Sequence, residues 1–129
     1  MVDVISTDHC DYTLAQKTES GDFSKTPGGL PGLETLFPLI YTHSLDKARS
    51  PLNALVRLMS TNPARIFGLD HRKGDIRAGM DADLLIYDPK PRSYLRSDDL
   101  HNIAGYTPYE GHRLRGAVRT VLCLSLIHI

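Results

Sequence analysis

Apolar residues change period twice along this chain of 129 residues. Val2, Val4 and Ile5 form a short β-branched run ending at Ser6-Thr7-Asp8, which predicts a buried strand that delivers a carboxylate into a loop. From Asp11 to Gly32 the pattern lapses. Asp, Thr, Ser, Lys and Gly dominate, and the stretch closes on Thr26-Pro27-Gly28-Gly29-Leu30-Pro31-Gly32, so a long functional loop or lid is expected. Leu33 to Tyr41 is apolar nearly all round and predicts a buried helix with Pro38 near or within its first turns. Ser50 and Pro51 supply an N-cap and first position for a second helix, with Leu52, Leu55, Val56 and Met59 at helical spacing. Asn62-Pro63 predicts a fresh cap and start for a short helix through Phe67, with Gly68 as the residue just past its end.

Beyond Lys73 the pattern becomes that of strands. Gly74–Gly79 predicts a short strand and turn, and Ala82–Asp88 a well-formed strand. Tyr106–Gly111 reads as a turn and Leu114–Val121 as a final alternating strand. The order is therefore one strand, a long loop, helices and a small β-unit.

Composition narrows the function classes. Fifteen basic residues balance fifteen acidic ones, which leaves no electrostatic footprint for nucleic acid or an anionic membrane surface. No apolar run spans a bilayer and no basic segment leads into one. Cys10 and Cys123 belong to no C-x-x-C pair, and two reduced thiols in a cytoplasmic protein is the expectation.

Candidate chemistry concentrates near the start. Asp8 and His9 can both bind metal or move protons, and they follow a strand end, where α/β enzymes place catalytic groups. On its own an Asp after Ser-Thr is more often a turn former or helix cap. The Gly28-Gly29 loop lacks the lysine and preceding strand of a phosphate loop. It could bring backbone amides and carbonyls close to a ligand, or simply precede a helix. His43, His71, His101 and His112 show no metal-ligand spacing and read as surface or capping residues. Asp98-Asp99 reads as a cap or solvated turn, and Asp81 and Asp83 as structural carboxylates around a turn and strand start.

Four blocks in order carry a resemblance: Ser6–Cys10, Gly21–Glu34, Ser60–Leu69 and Lys73–Leu84. Together they resemble the carboxyl-terminal part of the cyclic amidohydrolases, in particular D-hydantoinase/dihydropyrimidinase, with allantoinase and dihydroorotase as cousins. The resemblance implies an α/β chain that is the C-terminal part of a (β/α)8 metal-dependent hydrolase barrel plus part of its small β-sandwich domain. Residues 1–70 would hold the last barrel strand, an active-site loop and following helices, and residues 71–123 part of the sandwich. Residues 124–129 depart from the family and resemble the translation of a transposase-end sequencing adapter, so an artefact is expected there, the alternative being a natural apolar tail.

By the same resemblance Asp8 is a metal ligand and the proton shuttle, and a metal-bridged hydroxide attacks the ring carbonyl of a small cyclic amide or ureide. Gly28 stands where hydantoinases carry an Asn whose backbone contacts the substrate ring, and Gly29 lies beside it. Tyr12 stands where dihydroorotases carry a substrate-binding His, which favours the hydantoinase side. Two divalent metal ions, zinc by resemblance, and a homo-oligomer are implied for the whole enzyme. The remaining ligands of such a site, an H-x-H pair, a carboxylated lysine and two further histidines, have no counterpart here, so the expectation is an inactive fragment that binds no metal stably. The other readings are a dihydroorotase or allantoinase fragment, or a non-catalytic α+β binding module using the 11–32 loop.

Overall fold

The computed structural model describes residues 2–46, 51–123 and 126–128. Its first helix is one that composition hides. Thr13-Leu14-Ala15-Gln16 forms a reciprocal capping box, with Thr13 Oγ1 accepting the Gln16 N–H and Gln16 Oε1 accepting the Thr13 N–H, and α1 (Leu14–Thr18) follows. A 3₁₀ turn at Phe23–Lys25, capped by Asp22, breaks the same stretch again. The expected featureless loop is therefore a string of small capped turns.

The helix expected from Leu33 begins later, as α2 (Leu36–Asp46). Residues 33–35 form a turn and Leu33 is 70% exposed, so its apolar character buys no burial here. Pro38 lies in the first turn, where a missing N–H leaves no helical bond unmade. The Ser50 cap lies outside the described residues. α3 (Pro51–Val56) runs through a π-helical turn (Arg57–Thr61) into α4 (Asn62–Ile66) without a break.

That continuity corrects the expected cap at Asn62, whose φ and ψ of −67° and −45° are helical. The cause is Pro63. Its ring cannot follow an ordinary turn and it has no N–H, so the Asn62 N–H steps back to the Arg57 carbonyl and the register slips by one. α4 ends as predicted at Gly68, whose φ is 68°. Leu69 N–H donates to Ala64 O at 2.7 Å and Gly68 N–H to Arg65 O at 3.1 Å, the paired bonds of a Schellman end.

The β-unit is a three-stranded antiparallel sheet in the order β1 (Leu84–Tyr94), β2 (Arg113–Cys123), β3 (Leu126–His128). β1 outruns its predicted end, but its ladder slips between Asp88 and Arg92, where Pro89 and Pro91 cannot donate. The strand expected within Gly74–Gly79 is absent among the described residues, and Ile76 is 82% exposed. β3 falls in the segment read from the sequence as an adapter artefact. Its backbone pairs Val121 with His128 and Cys123 with Leu126, as a short apolar run does beside an open sheet edge.

α2 packs on the sheet through Phe37 and Tyr41 against Tyr87, with ring centroids 5.0 and 4.6 Å apart. Tyr87 lies over Gly116, where an added Cβ would stand 2.3 Å from its ring. Its hydroxyl donates to Arg115 O at 2.7 Å, and Thr42 Oγ1 accepts the Arg115 N–H at 3.0 Å. Burial, with Tyr41 beside it, pushes the Tyr87 phenol up to about 12.

Candidate functional site

The segment 2–7 is not a strand in the structure, which corrects the first element expected from the sequence. A strand needs a ladder, and among the described residues no neighbour offers one. The segment is held by the helices instead. Ile5 N–H donates to Leu58 O at 3.3 Å and Asn62 Nδ2 to Asp3 O at 2.8 Å. Leu58 O is available because the π register would assign it the N–H of residue 63, and proline has none. The helix irregularity and the path of the segment leading to Asp8 thus share one cause.

At Asp8 the backbone turns over. Thr7 Oγ1 accepts the His9 N–H at 3.1 Å, and Asp8 takes a φ of 48°, the one left-handed non-glycine among the described residues. Its carboxylate is exposed. A non-glycine residue held in this region is characteristic of sites where a side chain must be aimed. His9 points the other way. Its Nδ1 accepts from the Gly32 N–H at 3.0 Å and the Leu33 N–H at 3.2 Å, which puts the ring proton on Nε2. His9 therefore fastens the glycine-rich loop to the Asp8 turn.

Two further contacts complete that fastening. Cys10 N–H donates to Leu30 O at 3.1 Å. Gly29, at φ 86°, packs so closely that an added Cβ would lie 2.4 Å from Cys10 Cβ. Gly28 differs: nothing stands within 4 Å of its missing Cβ. Lys17, half-buried at the end of α1, donates from Nζ to Pro27 O and Gly29 O, each at 2.7 Å. Asp11 accepts the Ile103 and Ala104 amides at 2.9 and 3.0 Å, and Glu34 accepts the His101 N–H at 2.9 Å and meets its Nδ1 at the same distance. These carboxylates tie the loop to the segment that precedes β2.

The three residues singled out from the sequence, Asp8, Gly28 and Gly29, thus belong to one bonded assembly. Lys17, Asp11 and Glu34 escaped notice, although the Thr13–Gln16 capping box could have placed Lys17 on a helix facing the loop. Asp81 and Asp83 are structural, as expected, but through cations: Lys73 contacts both, and Arg72 reaches Asp81 at 3.0 Å. The hydrogen bond from Lys73, with Arg72 adding to it, holds the Asp81 carboxyl below its ordinary range. His43, His71, His101 and His112 are exposed.

Among the described residues no group of three His, Cys, Asp or Glu could hold a metal ion. Asp8 offers one carboxylate, and His9 spends Nδ1 on amides. The donor set fits one ligand position and not a metal site by itself.

Residues 7–121 match the model of the amidohydrolase family. A D-phenylhydantoinase of Escherichia coli O1:K1 is 40% identical over 119 residues, 91% of this chain and 26% of its own length. The D-phenylhydantoinase of E. coli K12 is 39% identical over the same span. Among solved structures, a D-hydantoinase (dihydropyrimidinase) from Thermus sp. superposes with a TM-score of 0.93 at 33% identity, covering 98% of this chain and 28% of that one. An L-hydantoinase (dihydropyrimidinase) from Arthrobacter aurescens gives 0.78 at 31% identity, covering 88% and 26%. The hydantoinase neighbours are (β/α)8 barrels with a β-sandwich, of which this small α/β chain spans about a quarter.

Proposed function

The chain belongs to the amidohydrolase family, and on that premise we propose that it supplies the proton-shuttling carboxylate and a substrate loop to an enzyme that opens cyclic ureides, as hydantoinases and dihydropyrimidinases do. The observation that carries the reading is Asp8, an exposed carboxylate held at φ 48° on a turn bonded to the glycine-rich loop. Asp8 takes a proton from the attacking water and delivers it to the ring nitrogen as the C–N bond breaks. One water thus provides both the oxygen gained by carbon and the hydrogen gained by nitrogen. Gly28 offers a backbone N–H and carbonyl, and Gly29 an N–H beside the carbonyl that Lys17 holds, groups that match the alternating N–H and C=O groups of a ureide ring. Two divalent ions, zinc by family resemblance, supply when bound an acidified water and a polarised carbonyl, and Asp8 is this chain's candidate ligand to them. The free thiols of Cys10 and Cys123 fit a cytoplasmic protein, and a homo-oligomer follows from the resemblance.

The test is a hybrid in which residues 7–121 replace the matching stretch of E. coli D-phenylhydantoinase. The hybrid is expected to open hydantoin and dihydrouracil, with Asp8→Ala lowering kcat by about 10³-fold. A folded, metal-replete hybrid that opens neither ring overturns the reading in favour of a binding module. Preference for dihydroorotate or allantoin would move the assignment to those relatives.

A further inference from the structure

We infer that Lys17 is a positioning residue for the Gly28 loop, its ammonium setting the backbone that the proposed function presents to a ring amide. Lys17 Nζ bonds the carbonyls on both sides of Gly28, those of Pro27 and Gly29, each at 2.7 Å. An ammonium has three donors and no acceptor, and charge-assisted bonds to carbonyls are stronger than neutral ones. Two such bonds from one atom fix the spacing and direction of two peptide planes. Between them, neither the Gly28 N–H nor its carbonyl has a hydrogen-bond partner among the described residues, and Gly28 is exposed. The loop's flanks are committed and its apex is left for a ligand.

The rest of the geometry makes Lys17 the adjustable part. Gly29 is pressed against Cys10, Leu30 O is taken by the Cys10 N–H, and Gly32 and Leu33 are bonded to His9. Those contacts anchor the loop's far side to the Asp8 turn. The near side has a local backbone bond, Thr26 N–H to Phe23 O at 3.2 Å, and Lys17 is what ties it through Pro27 to α1. The capping box at Thr13 sets α1, and Nζ lies 5.8 Å from the ring centroid of Tyr12, just before the cap.

Amide exchange in the chain, and in the hybrid described above, tests the positioning role. Lys17→Met is expected to speed exchange about tenfold at Thr26, whose N–H donates to Phe23 O beside the clamped Pro27 carbonyl, while β1–β2 amides are unchanged. Lys17→Arg, which keeps charge and several donors, restores most of the protection. In the hybrid, Lys17→Met is expected to raise KM for hydantoin about tenfold with kcat within about threefold, a split that loss of Asp8 does not produce. Unchanged loop exchange in Lys17→Met overturns the inference, as does a fall in kcat at constant KM, which would put Lys17 in the chemistry itself. The inference rests on the cyclic-ureide reading, but the two fail separately. An unmodified hybrid without activity sinks that reading, while the exchange comparison still decides for or against Lys17.

Discussion

Two adjacent glycines do different work, and single substitutions separate them. Gly29 combines φ 86° with a contact that leaves no room for a Cβ beside Cys10, whereas Gly28 has open space and no left-handed φ. Gly29→Ala is expected to cost about 2 kcal/mol, from the left-handed backbone and the clash together, read as a lower denaturant midpoint. Gly28→Ala is expected to be neutral or to stabilise by up to about 1 kcal/mol, because it restricts only the unfolded chain. The sequence offered Gly-Gly as a pair with no means of telling them apart, since the distinction lies in where Cys10 comes to rest. Asp8 was legible as a carboxylate at the end of an apolar run; its left-handed backbone was not, because it depends on Thr7 Oγ1 accepting the His9 N–H. At Tyr87 the phenol is raised to about 12 by burial and the nearby Tyr41, against about 10 unfolded. The neutral form is the one the fold favours. Tyr87 therefore stabilises fully below pH about 10 and loses that contribution as pH climbs toward about 12. Thermal midpoints across that window are expected to fall less steeply in Tyr87→Phe, which at neutral pH loses only the bond to Arg115 O.

At the level of elements, proline placement explains most of what the sequence pattern mistook. Asn62-Pro63 has the signature of a helix start, and it is also what a continuing helix looks like when a π turn absorbs the missing N–H. The local signal is the same in both cases. What decides is the segment 2–7, whose Ile5 N–H takes the carbonyl that proline leaves open. Pro63→Ala restores a donor for Leu58 O, so Ile5 exchange should accelerate by roughly tenfold even though the helix itself gains intrinsic propensity. An Ile5 amide as protected as before would show that the proline and the segment are unrelated. The strand expected at residues 2–7 failed for a related reason: a β-branched run encodes the wish to pair, while pairing itself needs a neighbour that lies elsewhere in sequence. By contrast β2 and the Gly68 helix end were legible, because alternation against β1 and a Schellman end are set by residues close at hand.

The whole molecule exposes more surface than its size warrants. A folded monomer of 14.4 kDa ordinarily leaves about 6,800 Å² accessible, and this chain leaves 9335 Å². The excess, about 2,500 Å², is of the order that large permanent interfaces bury. It is not polar padding: Phe23 is 92% exposed, Ile103 74% and Phe67 73%, while among the described residues the buried apolar side chains are Pro31, Leu39, Tyr41, Leu55, Ala64, Leu95 and Ala104. Those exposed side chains come from turns, loops and helix ends spread along the chain. The relatives, of which this chain spans about a quarter, have the additional chain that could cover them. In isolation the chain is therefore expected to bind an apolar dye such as anilinonaphthalene sulfonate and to self-associate at micromolar concentration by light scattering. Within the hybrid enzyme the same residues should become inaccessible to the dye. Elemental analysis of the isolated chain should find less than stoichiometric zinc, since Asp8 alone provides one ligand. A dye-silent, monodisperse monomer with a sharp thermal transition would mean that the exposed apolar surface is tolerated without a cover, and the excess area would then describe a self-sufficient small domain.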